Sequence, residues 1–180
     1  MSRVVRKICL LGDMAVGKTS LTDRFVDQRF SHDYLSTIGA RILRKDVKLK
    51  ADDLQFEAII WDLEGTRHYH ELPPGYLSAA SAALIVCDLT REKTIDNLQM
   101  HVAAFKARNP NALYSIVMNK YDLVEAQELK ITKEDLKKII FKDAVNILYT
   151  SAKDNVNVHE AFSELCEALV EQSLGTTLAA

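Results

Sequence analysis

Residues 12 to 20 read GDMAVGKTS and follow directly on the apolar run VVRKICLL, Val4 to Leu11. A GxxxxGK[ST] pattern thus falls where a buried strand turns into a helix, and few architectures accept that combination. Gly12 and Gly17 permit a backbone whose N–H groups turn inward, while the helix starting near Lys18 adds the positive end of its dipole. Lys18 supplies a charge, and Thr19 supplies a hydroxyl suited to Mg²⁺. Gly12, Ala15, Val16, Gly17, Lys18, Thr19 and Ser20 are therefore expected to cradle a phosphate. A glycine-rich turn with no ligand is the plain alternative, and the flanking strand and helix argue against it.

Strand-sized apolar runs alternate with stretches of helical period through the rest of the chain, which is the sign of an α/β fold with a mostly parallel sheet. Four buried strands are expected at Val4 to Leu11, Ala83 to Leu89, Leu113 to Asn119 and Asn146 to Thr150, all rich in Ile, Leu and Val. RILRKDVKLK, Arg41 to Lys50, alternates apolar with basic residues and LQFEAIIWDL follows a turn at residues 51–53, so these two form an antiparallel hairpin near an edge. Helices are expected at Lys18 to Gln28, Thr94 to Arg108, Thr132 to Phe141 and Val156 to Gln172, with Thr132 and Asn155 as N-caps.

At 180 residues the chain suits one domain, over 1–172, with a frayed tail at 173–180. A net charge of −2 offers no pull on nucleic acids or anionic membranes. Cys9, Cys87 and Cys166 are far apart and form no CxxC pair, so neither a disulfide framework nor a structural zinc is expected, and a reducing cytoplasm fits. MSRVVRKICLL lacks the apolar core and small-residue cleavage site of a secretion signal.

NKYD, Asn119 to Asp122, ends the strand LYSIVMN, where the carboxyl ends of parallel strands meet ligands. The Asp122 carboxylate can accept both the ring N–H and the amino group of guanine. Adenine offers no such pair, which gives discrimination of about 10⁴ or more.

With these motifs the chain resembles the Ras superfamily of small GTPases over nearly its whole length, most closely the Rab branch. GDMAVGKT matches the phosphate loop, LSTIG around Thr37 matches switch I, WDLEG is a variant of WDTAG, NKYD reads guanine, and TSAK, Thr150 to Lys153, is the second guanine loop. The resemblance implies a three-layer fold: a six-stranded, mostly parallel sheet with one antiparallel edge strand and helices on both faces. It implies GTP/GDP and Mg²⁺ as ligands, with Thr19 and Thr37 on the metal and Asp62 holding it through water. Lys18, Thr37 and the Gly65 amide would serve the γ-phosphate. Phe30 would lie against the base, Tyr34 would cover the phosphates, and Asn119, Lys120, Asp122, Ser151, Ala152 and Lys153 would form the base pocket. Effectors, an exchange factor and an activating protein would read switches I and II, and a monomer is the family default.

Departures from the pattern matter as much. Thr66 stands where the family usually has the glutamine that orients the attacking water. Its short, β-branched side chain cannot span both that water and the γ-phosphate, so hydrolysis should fall about tenfold below a Ras-type rate of about 10⁻⁴ per second. The Rap branch also carries threonine here, and its activating partner supplies the amide side chain. Glu64, Arg67, His68 and His70 are the nearby groups able to order water from within the chain. Pro73-Pro74 removes two amide donors where a switch II helix is usual, predicting a stiffer, extended segment. Met14 could crowd an arriving arginine. No cysteine stands near the last residues, and Ser2 rather than glycine follows Met1, so no direct lipid anchor is expected on this chain. A shortened tail and a lineage that never used a lipid, for instance a bacterial one, both accommodate this. The competing reading of the whole is a pseudo-GTPase scaffold with permanently bound nucleotide, and a P-loop kinase using ATP stands third.

Overall fold

The computed structural model describes residues 2–30, 37–50, 54–69, 71–125 and 141–178. Within them the chain runs β1 (Ser2–Leu11), α1 (Lys18–Asp27), β2 (Ala40–Val47), β3 (Leu54–Leu63), β4 (Ala82–Asp88), α2 (Glu92–Asp96), α3 (Leu98–Arg108), β5 (Leu113–Asn119), β6 (Ile147–Tyr149) and α4 (Val158–Leu178). Single 3₁₀ turns lie at Pro74–Tyr76 and Tyr121–Leu123.

The strands form one six-stranded sheet in the order β2-β3-β1-β4-β5-β6. Only the β2–β3 pairing is antiparallel, as the hairpin pattern requires, and the other pairings are parallel. β1 has β3 on one side and β4 on the other, so the chain departs in opposite directions beside it. A crevice opens at such a point, beyond the carboxyl ends of the strands. The GDMAVGKTS loop follows β1 and lies there.

Period-two alternation divides β1 and β4 between two cores. Ile8, Leu10, Leu84 and Val86 pack with Leu21 and Phe25 of α1 and Phe162 and Leu165 of α4 on one face. Cys9, Leu11, Ile85 and Cys87 pack with Leu98 and Phe105 of α3 on the other. Helices thus cover both faces, and Phe25 stacks on Phe162 with ring centroids 4.0 Å apart, joining α1 to α4. All three cysteines are buried and free.

Several boundaries differ from the sequence-based expectation. β6 lies at the sheet's second edge rather than inside it, because edge position follows from strand order and not from apolar content. The helix expected over Thr94 to Arg108 starts earlier and is divided at Asn97, whose side chain is drawn to Asp13. α4 begins at Val158, so Asn157 and not Asn155 precedes it, and it continues past Gln172 to Leu178. Pro73 is extended (φ −50°, ψ 133°) as expected, but Pro74 starts a 3₁₀ turn, since its fixed φ suits a first helical position. The helix expected over 132–141, with Thr132 as its cap, lies outside the described residues apart from Phe141, which is not helical.

Candidate functional site

A cavity of about 830 Å³ opens in the crevice beside β1, within the size range of small-ligand sites. Its wall includes Ala15, Gly17, Lys18, Thr19 and Ser20 from the phosphate loop, Phe30, Thr37, Gly65 and Thr66, and then Asn119, Lys120, Asp122, Ala152 and Lys153. The structure therefore brings together most of the residues singled out from sequence. Val16 points into the core instead, fully buried, and Tyr34 lies outside the described residues.

The loop conformation explains its glycines. Gly12 has φ +146°, and a Cβ there would meet the Val86 carbonyl oxygen at 2.2 Å. Gly17 has φ +99°, and a Cβ there would meet Asn119 Nδ2 at 2.2 Å. Lys18 Nζ donates to the carbonyl oxygens of Gly12 and Asp13, each at 3.0 Å, and is buried. That burial pushes its ammonium down to about 8, against the attraction of Asp62 and Asp13. A buried cation in a cavity of this kind favours an anionic ligand.

The Thr19 and Thr37 hydroxyls lie 2.8 Å apart. Asp62 is fully buried, and neither carboxylate oxygen has a hydrogen-bond partner. Burial raises its carboxyl above the usual range, with Thr19 and then Arg41 pulling it back. Two hydroxyls and a buried carboxylate with no hydrogen bond to either oxygen are oxygen donors of the kind Mg²⁺ takes, partly through water, so the residues fit that ion. Among the described residues no cluster of three or more His, Cys, Asp and Glu could hold a metal, which leaves no comparable site for a softer ion.

The base end is built around Asn119. Its Nδ2 donates to the Val16 carbonyl at 2.9 Å, and its Oδ1 accepts from Thr150 Oγ1 at 3.1 Å and the Ala152 amide at 3.3 Å. One buried amide thus ties the phosphate loop to NKYD and TSAK. Asp122 Oδ1 accepts from Ser151 Oγ at 2.6 Å, which fixes the carboxylate. Lys120 adopts a left-handed backbone (φ +65°), and its Nζ pairs with Asp88 Oδ2 at 2.7 Å. Arg24 donates to the carbonyls of Ala152 and Lys153 at 2.9 and 2.8 Å, and its guanidinium lies 5.9 Å from the Phe30 ring.

In the switch region the Thr66 hydroxyl accepts the His68 amide at 2.9 Å, a local turn that occupies one of its two lone pairs. Glu64 Oε2 accepts the Gly39 amide at 2.8 Å, and Arg67 Nε lies 3.9 Å from Asp13. His68 and Met14 are exposed, and His70 lies outside the described residues.

Against known families, residues 7–171 match the family described as Ras family. The chain belongs to the Ras family of small GTPases. Its curated relatives place it in the Rab branch: it is 34% identical over 166 residues to Ras-related protein Rab5A of Oryza sativa subsp. japonica, covering 92% of this chain and 80% of that protein. It is 37% identical over 164 residues to Ras-related protein RABF2b of Arabidopsis thaliana, covering 91% and 80%. With Ras-related protein Rab-22A of Homo sapiens it shares 35% over 162 residues, covering 88% and 80%. Among the described residues of this small GTPase, no helix is long and apolar enough to cross a membrane.

Sequence reasoning missed two participants. Arg41 belongs to the basic face of β2, which reads as solvated, but the antiparallel register sets it opposite Asp62, with Nε 3.7 Å from Oδ2 and a second pairing to Asp23. His101 sits in a helix whose period gives it no special status. Only the register between α3 and the phosphate loop could have revealed it.

Proposed function

We propose that this small GTPase is a cytoplasmic, Mg²⁺-dependent GTP/GDP switch that hydrolyses GTP slowly and recruits effectors while GTP is bound. The observation that carries the reading is that a single cavity is lined by the phosphate loop with Lys18 and Thr19, by Thr37 and by the Ser151-braced Asp122.

Lys18 and the inward amides of the loop neutralise and orient the phosphates, and the discrimination in favour of guanine falls to Asp122 with the Ala152 amide. Thr19, Thr37 and Asp62 would hold Mg²⁺, which when bound supplies positive charge to the phosphate oxygens as negative charge builds on the leaving group. Thr37 and the Gly65 amide approach the γ-phosphate and order the two switches, making a surface that exists only with GTP. The attacking water lacks an amide side chain to orient it, since Thr66 is short and its oxygen already accepts a bond from His68. An activating protein that supplies that group would complete the site, and the chain works as a monomer between such partners.

Fluorescent GDP and GTP binding, with ATP as competitor, tests this in the wild type and in Lys18→Ala. Tight guanine binding that ATP leaves intact and Lys18→Ala abolishes is expected. A wild type that binds neither guanine nucleotide, or loses both to equimolar ATP, sinks the reading.

A further inference from the structure

One buried polar chain is left unused by the assignment above. Tyr69 lies four residues beyond Gly65, is 5% exposed, and packs edge-on against His101 of α3, with ring centroids 5.5 Å apart. Its hydroxyl oxygen accepts the Gly12 amide at 3.3 Å and lies 2.6 Å from His101 Nδ1. His101 is fully buried, and its Nε2 lies 3.2 Å from Asp13 Oδ1. Asp13 Oδ2 accepts from Asn97 Nδ2 at 2.7 Å.

With a neutral imidazole one direction satisfies every group: the Tyr69 oxygen accepts the Gly12 N–H and donates its proton to Nδ1, and the imidazole proton sits on Nε2 and points at Asp13. Each buried group in the series is then satisfied, which is the condition under which such a network rigidifies its surroundings. Its two ends grip Gly12 through the amide and Asp13 through the carboxylate. The carbonyls of the same two residues hold Lys18 Nζ. A line of contacts therefore runs from switch II through α3 to the phosphate lysine, with no side chain of the cavity wall in between.

We propose that Tyr69, His101 and Asp13 are positioning residues for Lys18, coupling the docked position of switch II to the geometry of the phosphate loop. The inference rests on the nucleotide-switch reading given above. When Tyr69 is seated, residues 12 and 13 are clamped from behind and the ammonium is held by both carbonyls. When switch II departs, Gly12 loses its amide acceptor and His101 loses the partner of Nδ1, so the clamp loosens in step with the switch. Coupling of this kind requires that the three groups act as one unit and not as independent packing contacts.

The test uses the full chain loaded with fluorescent GDP, and single-turnover hydrolysis of Mg·GTP alongside thermal unfolding. Tyr69→Phe keeps the ring and removes only the hydroxyl. His101→Gln keeps a donor towards Asp13 and loses the contact to Tyr69, whereas His101→Asn keeps a group near Nδ1. Tyr69→Phe and His101→Gln are each expected to speed GDP release and slow hydrolysis about threefold to tenfold, the double variant being no worse than the worse single one. His101→Asn should recover part of the loss. The inference is overturned if Tyr69→Phe leaves both rates within twofold of wild type, whatever happens to the melting temperature. It is overturned equally if the two single effects multiply in the double variant. A wild type that holds no guanine nucleotide overturns the switch reading, and this inference with it, whereas an active wild type with an inert Tyr69→Phe overturns this inference alone.

Discussion

The Glu64 carboxylate accepts the Gly39 amide at 2.8 Å, while the Glu64 N–H donates to the Gly39 carbonyl at 2.9 Å. The WDLEG loop thereby holds the residue two positions beyond Thr37 by backbone and side chain together. Of the groups proposed to order water, Glu64 has this structural task already. Glu64→Ala should remove a charge-assisted bond and cost about 1.5 kcal/mol of stability. Hydrogen exchange should show lost protection at Gly39, and unchanged protection there would mean that the backbone pairing alone holds the segment.

Thr66 sets a second expectation. Its oxygen accepts from His68 within a turn that a glutamine would not make. Thr66→Gln should raise the single-turnover rate about tenfold by restoring a side chain that reaches the in-line water. A variant no faster than wild type would show that another group already places the water, with Arg67 the first to examine.

Much of this was legible in the sequence, for reasons that differ along the chain. β4, β5 and the Ile8–Leu11 half of β1 are near-continuous apolar runs because both of their faces are covered, and the glycines of GDMAVGKTS announce a backbone that side chains would block. NKYD and TSAK are local signals, but Asn119 holding Val16, Thr150 and Ala152 at once is a tertiary fact. Arg41 and His101 were hidden for the same physical cause: their importance comes from the residue opposite, and register between distant segments leaves no mark on a single residue's neighbours. The Pro73-Pro74 segment was half legible, since proline fixes φ at values shared by extended chain and 3₁₀ turn.

Arg41 leads to an expectation about the metal. Its guanidinium stands beside Asp62, the carboxylate assigned to Mg²⁺, and a cation there competes electrostatically with another. Arg41→Ala should tighten Mg²⁺, lowering the concentration that half-slows GDP release by about threefold to tenfold. Asp62→Asn should make GDP release insensitive to chelation. It should also raise the melting temperature of the metal-free chain, because burial penalises the Asp62 charge more than Arg41, 3.7 Å away, offsets it. An Asp62→Asn variant that still responds to chelator would place the metal elsewhere.

Acid should weaken the fold through His101. Burial pushes its imidazole down to about 4, more than Asp13 beside it draws it up, whereas the unfolded chain titrates it near the ordinary value of about 6.5. Between those two values the unfolded state binds the proton and the folded state does not. The stability owed to this group is therefore complete above the unfolded value and is lost as pH falls towards the folded one. From pH 7 to pH 5 the loss amounts to about 2 kcal/mol. His101→Gln cannot titrate, so urea unfolding of the GDP-loaded chain should show the variant losing less stability over that interval by about the same amount. Parallel losses in the two proteins would mean that His101 is already protonated in the fold, held as a cation by Asp13, and the direction of the Tyr69 bond would then be reversed.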